Sequence, residues 1–175
     1  MIKNVLDAQD PNLRLKSKPI VKFDKKIAQI IKDLKDTISV QKDPEGIGLA
    51  APQIGKRLRM FIMKPEKTIT VVINPQIISM SKNKTTAEEN RKIMEGCLSL
   101  PHYYGPLKRA KKVKVKYLDE NGKPILKEFV GLESQIIQHE IDHLDGRLFI
   151  DRLLEQKESL YEFIDGEWEK VDLIL

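Results

Sequence analysis

Within Gln138-His139-Glu140-Ile141-Asp142-His143, two imidazoles and a carboxylate stand at a spacing that suits metal-assisted hydrolysis. On a helix, residues four apart share a face, so His139 and His143 can bind one divalent ion. Glu140, about 100° further round the axis, can reach a water held by that ion. The same five-residue pattern also arises by chance on solvated helices, and the neighbouring residues weigh against that here. Leu132, Ile136, Ile137, Ile141 and Leu144 form an apolar stripe, which predicts a helix packed into a core, where polar side chains need partners. Gly146 then supplies a helix stop. Of the chain's three histidines, only His102 lies outside the motif.

A hydrolytic site takes three protein ligands and leaves one position for water, so a third donor is needed. Cys97, the sole cysteine, lies in Glu95-Gly96-Cys97-Leu98-Ser99-Leu100-Pro101. Alone it reads as a small buried hydrophobe or as a nucleophile; beside the helix motif, a thiolate ligand is the better reading. Two other readings stay open on the residues alone. A zincin-like endopeptidase would take its third ligand downstream, from Glu155, Glu158 or Glu162. A binding module with a structural ion needs four ligands, for which His102 is the one spare imidazole.

Gly46-Ile47-Gly48-Leu49-Ala50-Ala51-Pro52-Gln53 contains the G-x-G-x-x-A pattern of a dinucleotide fingerprint, but its context rejects that use. A helical pattern and Lys42-Asp43-Pro44-Glu45 precede it where a strand is required, and Pro52 falls where a phosphate-binding helix would continue. Two glycines instead let backbone approach a ligand or turn sharply. Gln53, taken alone, reads as an exposed loop amide.

Taken together and in order, Gly46 to Gln53, Glu95 to Ser99 and Gln138 to His143 resemble the motifs of the peptide deformylases, and the resemblance runs from the first helix to about Leu153. It implies that Cys97, His139 and His143 hold the metal, that Glu140 is the acid/base, and that Gln53 and the backbone amide of Leu98 stabilise the oxyanion. It further implies a methionine pocket walled by Ile47, Leu132, Gln135 and Ile136, with Gly48 and Tyr104 completing the substrate contacts. The implied reaction removes the N-formyl group from the formylmethionine of nascent polypeptides and releases formate. The family typically works with Fe(II), while Zn, Ni or Co can occupy the same ligands. Two departures stand out: Tyr103-Tyr104-Gly105 falls where many relatives carry a substrate-contacting Arg, and the C-terminal residues resemble strand-ended branches of the family. The second argues against ribosome docking through a long C-terminal helix, leaving transient ribosome association by some other route.

The remaining sequence must build a frame for these residues. With 175 residues and 41% hydrophobic content, one domain spanning 1–175 with a proper core is expected. The net charge of +5 suits an RNA-rich partner no better than it suits solvated lysines, and no sequence-specific nucleic-acid binding is expected. Lys108-Arg109-Ala110-Lys111-Lys112 is the densest basic run, and alternation through Val113 and Val115 makes it the start of a half-exposed strand. No stretch has the length of a membrane span, no apolar signal core follows Met1, and a single cysteine excludes an internal disulfide; a cytoplasmic protein is expected.

Asp24 reads as the N-cap of an amphipathic helix carrying Ile27, Ile30, Ile31, Leu34 and Ile38 to about residue 40. Strands are expected at 58–63, 68–74, 112–119 and 125–130, the last two joined by a turn at Asn121-Gly122, with a loop at 81–92. A short helix within 152–163 and a terminal strand at 168–175 complete the pattern. The fold class is α+β: a mostly antiparallel sheet packed around a central metal-binding helix, with an N-terminal helix and a C-terminal strand.

Overall fold

A computed structural model of the chain describes residues 1–86, 88–89 and 94–172. The first helix, α1 (Lys25–Ser39), is capped by Asp24, whose carboxylate accepts from the backbone N–H groups of Lys26 and Ile27 at 3.0 and 3.1 Å. Those bonds satisfy two of the donors that a helix start leaves unpaired. Its buried stripe of Ile27, Ile30, Ile31, Leu34 and Ile38 packs on a sheet.

That sheet contains β1 (Gly48–Ala50), β2 (Met60–Met63), β3 (Thr70–Met80), β6 (Lys112–Leu118) and β7 (Pro124–Val130), in the order β1-β2-β3-β6-β7 with every named pairing antiparallel. β2 is buried on both faces, which is why Met-Phe-Ile-Met is a continuous apolar run rather than an alternating one. Met60 and Ile62 face α1, while Phe61 and Met63 turn to the other side. There they meet α2 (Gly131–Leu144), the helix that carries the histidine motif, through Ile136, Ile137, Ile141 and Leu144. β6 alternates because only its inner face is covered: Val113, Val115 and Tyr117 are buried against α2, and the intervening lysines are solvated.

A second antiparallel sheet, in the order β4-β5-β8-β9, is formed by β4 (Glu95–Cys97), β5 (Leu100–Gly105), β8 (Leu160–Ile164) and β9 (Glu167–Val171). With α3 (Phe149–Gln156) it encloses a smaller apolar cluster of Leu107, Phe149, Leu153 and Leu160 that includes Cys97. Thus the thiol comes from the second sheet and the imidazoles from the helix behind the first.

The α+β class holds, with four local corrections. β3 does not stop at residue 74 but continues to Met80: Asn74, at φ 50°, and Pro75 are absorbed at a register shift, so the ladder to β6 resumes beyond a bulge. β2 begins at Met60 because Leu58 instead bridges Lys18 in parallel. The region 152–163 is divided: α3 starts at Phe149 and ends where Lys157 turns to φ 56°, after which β8 pairs with β5. The C-terminal strand is one arm of a hairpin turning at Asp165-Gly166, both at positive φ, and its expected last three residues lie outside the described ones. The 81–92 loop likewise falls partly outside them. Among the described residues no helix is long and apolar enough to cross a membrane.

Candidate metal centre

Cys97 is delivered by a tight reversal. β4 pairs with β5 through Glu95 opposite Gly105 and Gly96 opposite Tyr104; a register shift then sets Cys97 opposite Leu100, leaving Leu98 and Ser99 to turn the chain. α2 presents His139 and His143 one turn apart on the face that meets this reversal. The Cys97 Sγ lies 3.2 Å from His143 Nε2, and the ligand atoms of Cys97, His139 and His143 all fall within 4.8 Å of one another. All three side chains are buried.

These residues could hold one metal ion, and the donor chemistry fits. Thiolate and imidazole ligands at about 2.0–2.3 Å from a shared ion place their donors roughly 3–4 Å apart. His139 Nδ1 is engaged by the Glu95 carboxylate at 2.7 Å, which leaves Nε2 available as a ligand. Burial alone would push the Cys97 thiol up, yet His143 and His139 outweigh it and hold the thiol well below its ordinary range. Burial alone would also strip the proton from His139, but Cys97 and Glu95 raise its pKa well above the usual imidazole value. Thiol and imidazole thus shift each other toward their charged forms despite burial.

Behind the ligands runs a chain of buried ion pairs that the sequence reading did not find. Arg109 grips both oxygens of Glu95, Nε at 2.9 Å and Nη2 at 2.6 Å, and its Nη1 donates to Asp142 at 2.7 Å. Arg152 from α3 reaches the same Asp142 at 2.6 and 3.1 Å. Burial opposes the charge on Glu95, but Arg109 and His139 prevail and hold its carboxyl far below the usual range. Gln138 fixes the segment that supplies Arg109: it accepts from the Ala110 N–H at 3.1 Å and donates to the Ala110 carbonyl at 3.0 Å. The basic run 108–112 is therefore only partly the surface strand start it resembles; β6 begins at Lys112, and Arg109 points inward. The available signal was the pairing of one Arg in a Lys-rich run with an acid inside each of two motifs, Glu95 and Asp142, since Arg is the cation suited to bidentate buried pairs.

The open side of the centre is different. Glu140 is buried, its Oε2 has no hydrogen-bond partner among the described residues, and burial, partly offset by the two histidines, raises its pKa to about 7. Gly48 allows this position: a Cβ there would lie 2.2 Å from Glu140 Oε1. Gln53 is buried rather than exposed. Its Oε1 accepts from the Ala50 N–H at 2.8 Å, and its Nε2 faces Ser99 Oγ at 3.1 Å and Cys97 Sγ at 3.5 Å. The short 3-10 turn at Ala51–Ile54, which follows β1, holds it there.

A cavity of about 160 Å³ opens on this side. Ile47, Gly48, Leu132, Gln135, Ile136 and Tyr104 all line it, together with Gln53, Cys97, Leu98, His139 and Glu140; His143 sits behind them and is not part of the lining. Met94, Glu95 and Gly96 form the adjoining wall, and Pro44 and Glu45 complete the rim. Glu155, Glu158 and Glu162 do not join the Cys97, His139 and His143 group, which removes the geometric basis for a downstream third ligand.

A family model described as Polypeptide deformylase matches residues 2–159. The peptide deformylase of Pseudothermotoga lettingae is 44% identical over 151 residues, covering 86% of this chain and 82% of its own length. Among solved structures, the peptide deformylase of Thermotoga maritima aligns at a TM-score of 0.78 with 36% identity, covering 87% of this chain and 97% of that one. A peptide deformylase from Synechococcus elongatus, solved in complex with actinonin, gives a TM-score of 0.78 at 35% identity over 86% of this chain and 78% of that one. With the motifs assembled in one buried centre and these similarities spanning most of its length, the chain belongs to the polypeptide deformylases, enzymes that remove the N-formyl group from nascent peptides.

Proposed function

We propose that residues 1–175 act as one catalytic domain on the initiator formylmethionine of nascent polypeptides, with Cys97, His139 and His143 holding a divalent ion and Glu140 moving the proton. The observation that carries this reading is Glu140: a buried carboxylate with one oxygen lacking a hydrogen-bond partner among the described residues, beside a Cys-His-His cluster and facing a cavity. A bound ion supplies Lewis acidity, lowering the pKa of water and polarising the formyl carbonyl. Glu140 takes the proton of the attacking water and returns it to the amine nitrogen as the C–N bond breaks. Gln53 Nε2 and the Leu98 N–H donate to the oxygen on which charge develops. Ile47, Leu132, Gln135 and Ile136 receive the Met side chain, with Gly48 and Tyr104 flanking the peptide. A formyl group carries hydrogen where other acyl groups carry carbon, so a tight site excludes larger amides.

The ion in this reading is Fe(II); Zn, Ni and Co suit the same donors. The setting is the cytoplasm, with transient association at the ribosome that does not depend on a long C-terminal helix. The test is formate release from formyl-Met-Ala under anaerobic conditions with Fe(II) or Ni(II). Formate without cleavage of internal peptide bonds is expected; internal cleavage without formate overturns the reading. The Fe(II) form should lose activity in air faster than a Ni(II) or Zn(II) form, because oxygen attacks iron and then its thiolate. Actinonin, bound to the Synechococcus relative, should compete with the formyl peptide.

A further inference from the structure

The second sheet has one face turned to the small apolar cluster and one turned outward. Leu160 and Tyr103 belong to the inner face. On the other, Tyr104 of β5 pairs with Tyr161 of β8, and Phe163 of β8 pairs with Trp168 of β9. Residues two apart on a strand share a face with their cross-strand partners, so these four side chains share the outward face, where the rings of Tyr104, Trp168 and Phe163 form an aromatic ridge. The Trp168 ring meets Tyr104 edge-on with centroids 5.4 Å apart, and meets Phe163 at 4.7 Å. Trp168 nonetheless remains 49% exposed and Phe163 39% exposed.

The ridge begins at the catalytic cavity. Tyr104 lines that cavity, and its ring lies so close over Gly96 that a Cβ there would sit 2.6 Å from two ring carbons. From Tyr104 the rings lead outward along the β8–β9 hairpin. Phe163 and Trp168 both lie beyond residue 159, where the match to the family model ends. The hairpin therefore carries an apolar surface continuous with the mouth of the site.

We propose that this ridge is an extended binding surface for the substrate chain, taking apolar or aromatic side chains at about the third and fourth residues of the nascent polypeptide. The inference rests on the deformylase reading of the cavity. A peptide whose formyl end lies beside Cys97 and Glu140 must leave through the cavity mouth, and Tyr104 stands on that wall. An extended chain advances about 3.3 Å per residue, so each ring-to-ring step spans one to two residues. Aromatic contacts of this kind tolerate many sequences and favour apolar ones. A pair that only stabilised its own hairpin would have no effect on the choice of peptide.

Trp168 is the chain's only tryptophan, so its fluorescence reports the ridge directly. In the Ni(II)-loaded Glu140→Gln protein, where turnover is removed, formyl-Met-Ala-Phe-Leu should change that fluorescence while formyl-Met-Ala-Ser-Ser and formyl-Met-Ala should not. With the otherwise unaltered Ni(II)-loaded enzyme, kcat/KM should favour formyl-Met-Ala-Phe-Leu over formyl-Met-Ala-Ser-Ser by about five- to tenfold. Trp168→Ser should bring the two peptides together, and Trp168→Phe should restore most of the difference. Equal kcat/KM for the two peptides, or a preference that survives both Trp168→Ser and Phe163→Ser, overturns the ridge. So does fluorescence that shifts with protein concentration in the absence of peptide, which would mean that a second copy covers it. Formate release from formyl-Met-Ala without dependence on later residues sinks the ridge alone; no formate from any formyl peptide sinks the deformylase reading beneath it.

Discussion

The two sides of the candidate metal centre are built on opposite principles. Behind His139, every charged group is matched: Glu95 with Arg109 and His139, Asp142 with Arg109 and Arg152. In front, one carboxylate oxygen of the buried Glu140 has no hydrogen-bond partner among the described residues, a glycine stands where a side chain would collide with it, and the cavity wall is mainly apolar. The ion-pair chain fixes the ring of His139 through Glu95, whereas Nδ1 of His143 has no hydrogen-bond partner among the described residues. The open side carries the cost of a buried carboxylate oxygen left unpaired among the described residues. On the proposed reading, precision comes from the back and reactivity from the front.

The most severe way to break this contrast is at Glu140. Glu140→Gln should retain the metal, because Glu140 is not in the ligand cluster, yet lower kcat by about 10⁴-fold, since an amide cannot accept the proton. Cys97→Ala should lose the metal itself. Metal analysis and formate release on the same preparations separate the two, and equal metal loss in both variants would mean that Glu140 belongs with the ligands.

On the matched side the expected loss is of stability first. Arg109→Met takes from the buried Glu95 the guanidinium that grips both its oxygens and leaves Asp142 to Arg152 alone, and should cost about 3–5 kcal/mol in denaturant unfolding. Arg109→Lys should recover little, because an ammonium cannot grip both Glu95 oxygens and reach Asp142 together. Unchanged unfolding in Arg109→Met would show that the ion-pair chain is not what holds the ligands.

Gly48→Ala probes the front alone. Its Cβ would press on Glu140 Oε1, so activity should fall roughly 10- to 100-fold through a displaced carboxylate, while the unfolding midpoint moves little. Full activity would mean that Glu140 works from a different rotamer.

The smallest effect belongs to the cavity wall. Gln135 lies one turn before His139 and lines the cavity. Gln135→Ile should change the ratio of kcat/KM for formyl-Met and formyl-Leu peptides by about 1 kcal/mol, the scale of one methylene in a pocket. An unchanged ratio would place Gln135 outside the contact with the side chain.

The same contrast explains what could be read without coordinates. His139, His143 and Glu140 are legible because four-residue spacing on a helix converts sequence directly into geometry. α1 and its Asp24 cap are local in the same sense, as is the existence of the β6–β7 hairpin, although its register is set by a three-residue loop at 120–122 in which only Gly122 takes positive φ, not by a two-residue Asn121-Gly122 turn. Cys97 is 46 residues from His143, and only scarcity and the family resemblance linked them. Arg109 was hidden by its neighbours: in a basic run, a buried guanidinium is indistinguishable from a solvated one until its partners are placed. β3 was shortened for a related reason, since Asn74-Pro75 ends a strand by local rules and only the ladder to β6 carries the chain past it.

By itself, then, the sequence determined the elements whose physics is local: a capped amphipathic helix, hairpins with their turns, and two imidazoles and a carboxylate fixed on one helix. The tertiary structure decided which distant groups meet. The Cys97 thiolate against the imidazoles, the carboxylates of Glu95 and Asp142 around Arg109, and the hairpin beside Tyr104 all depend on long-range packing. Their energies exist only once water has been excluded from between them, and no spacing along the chain encodes that.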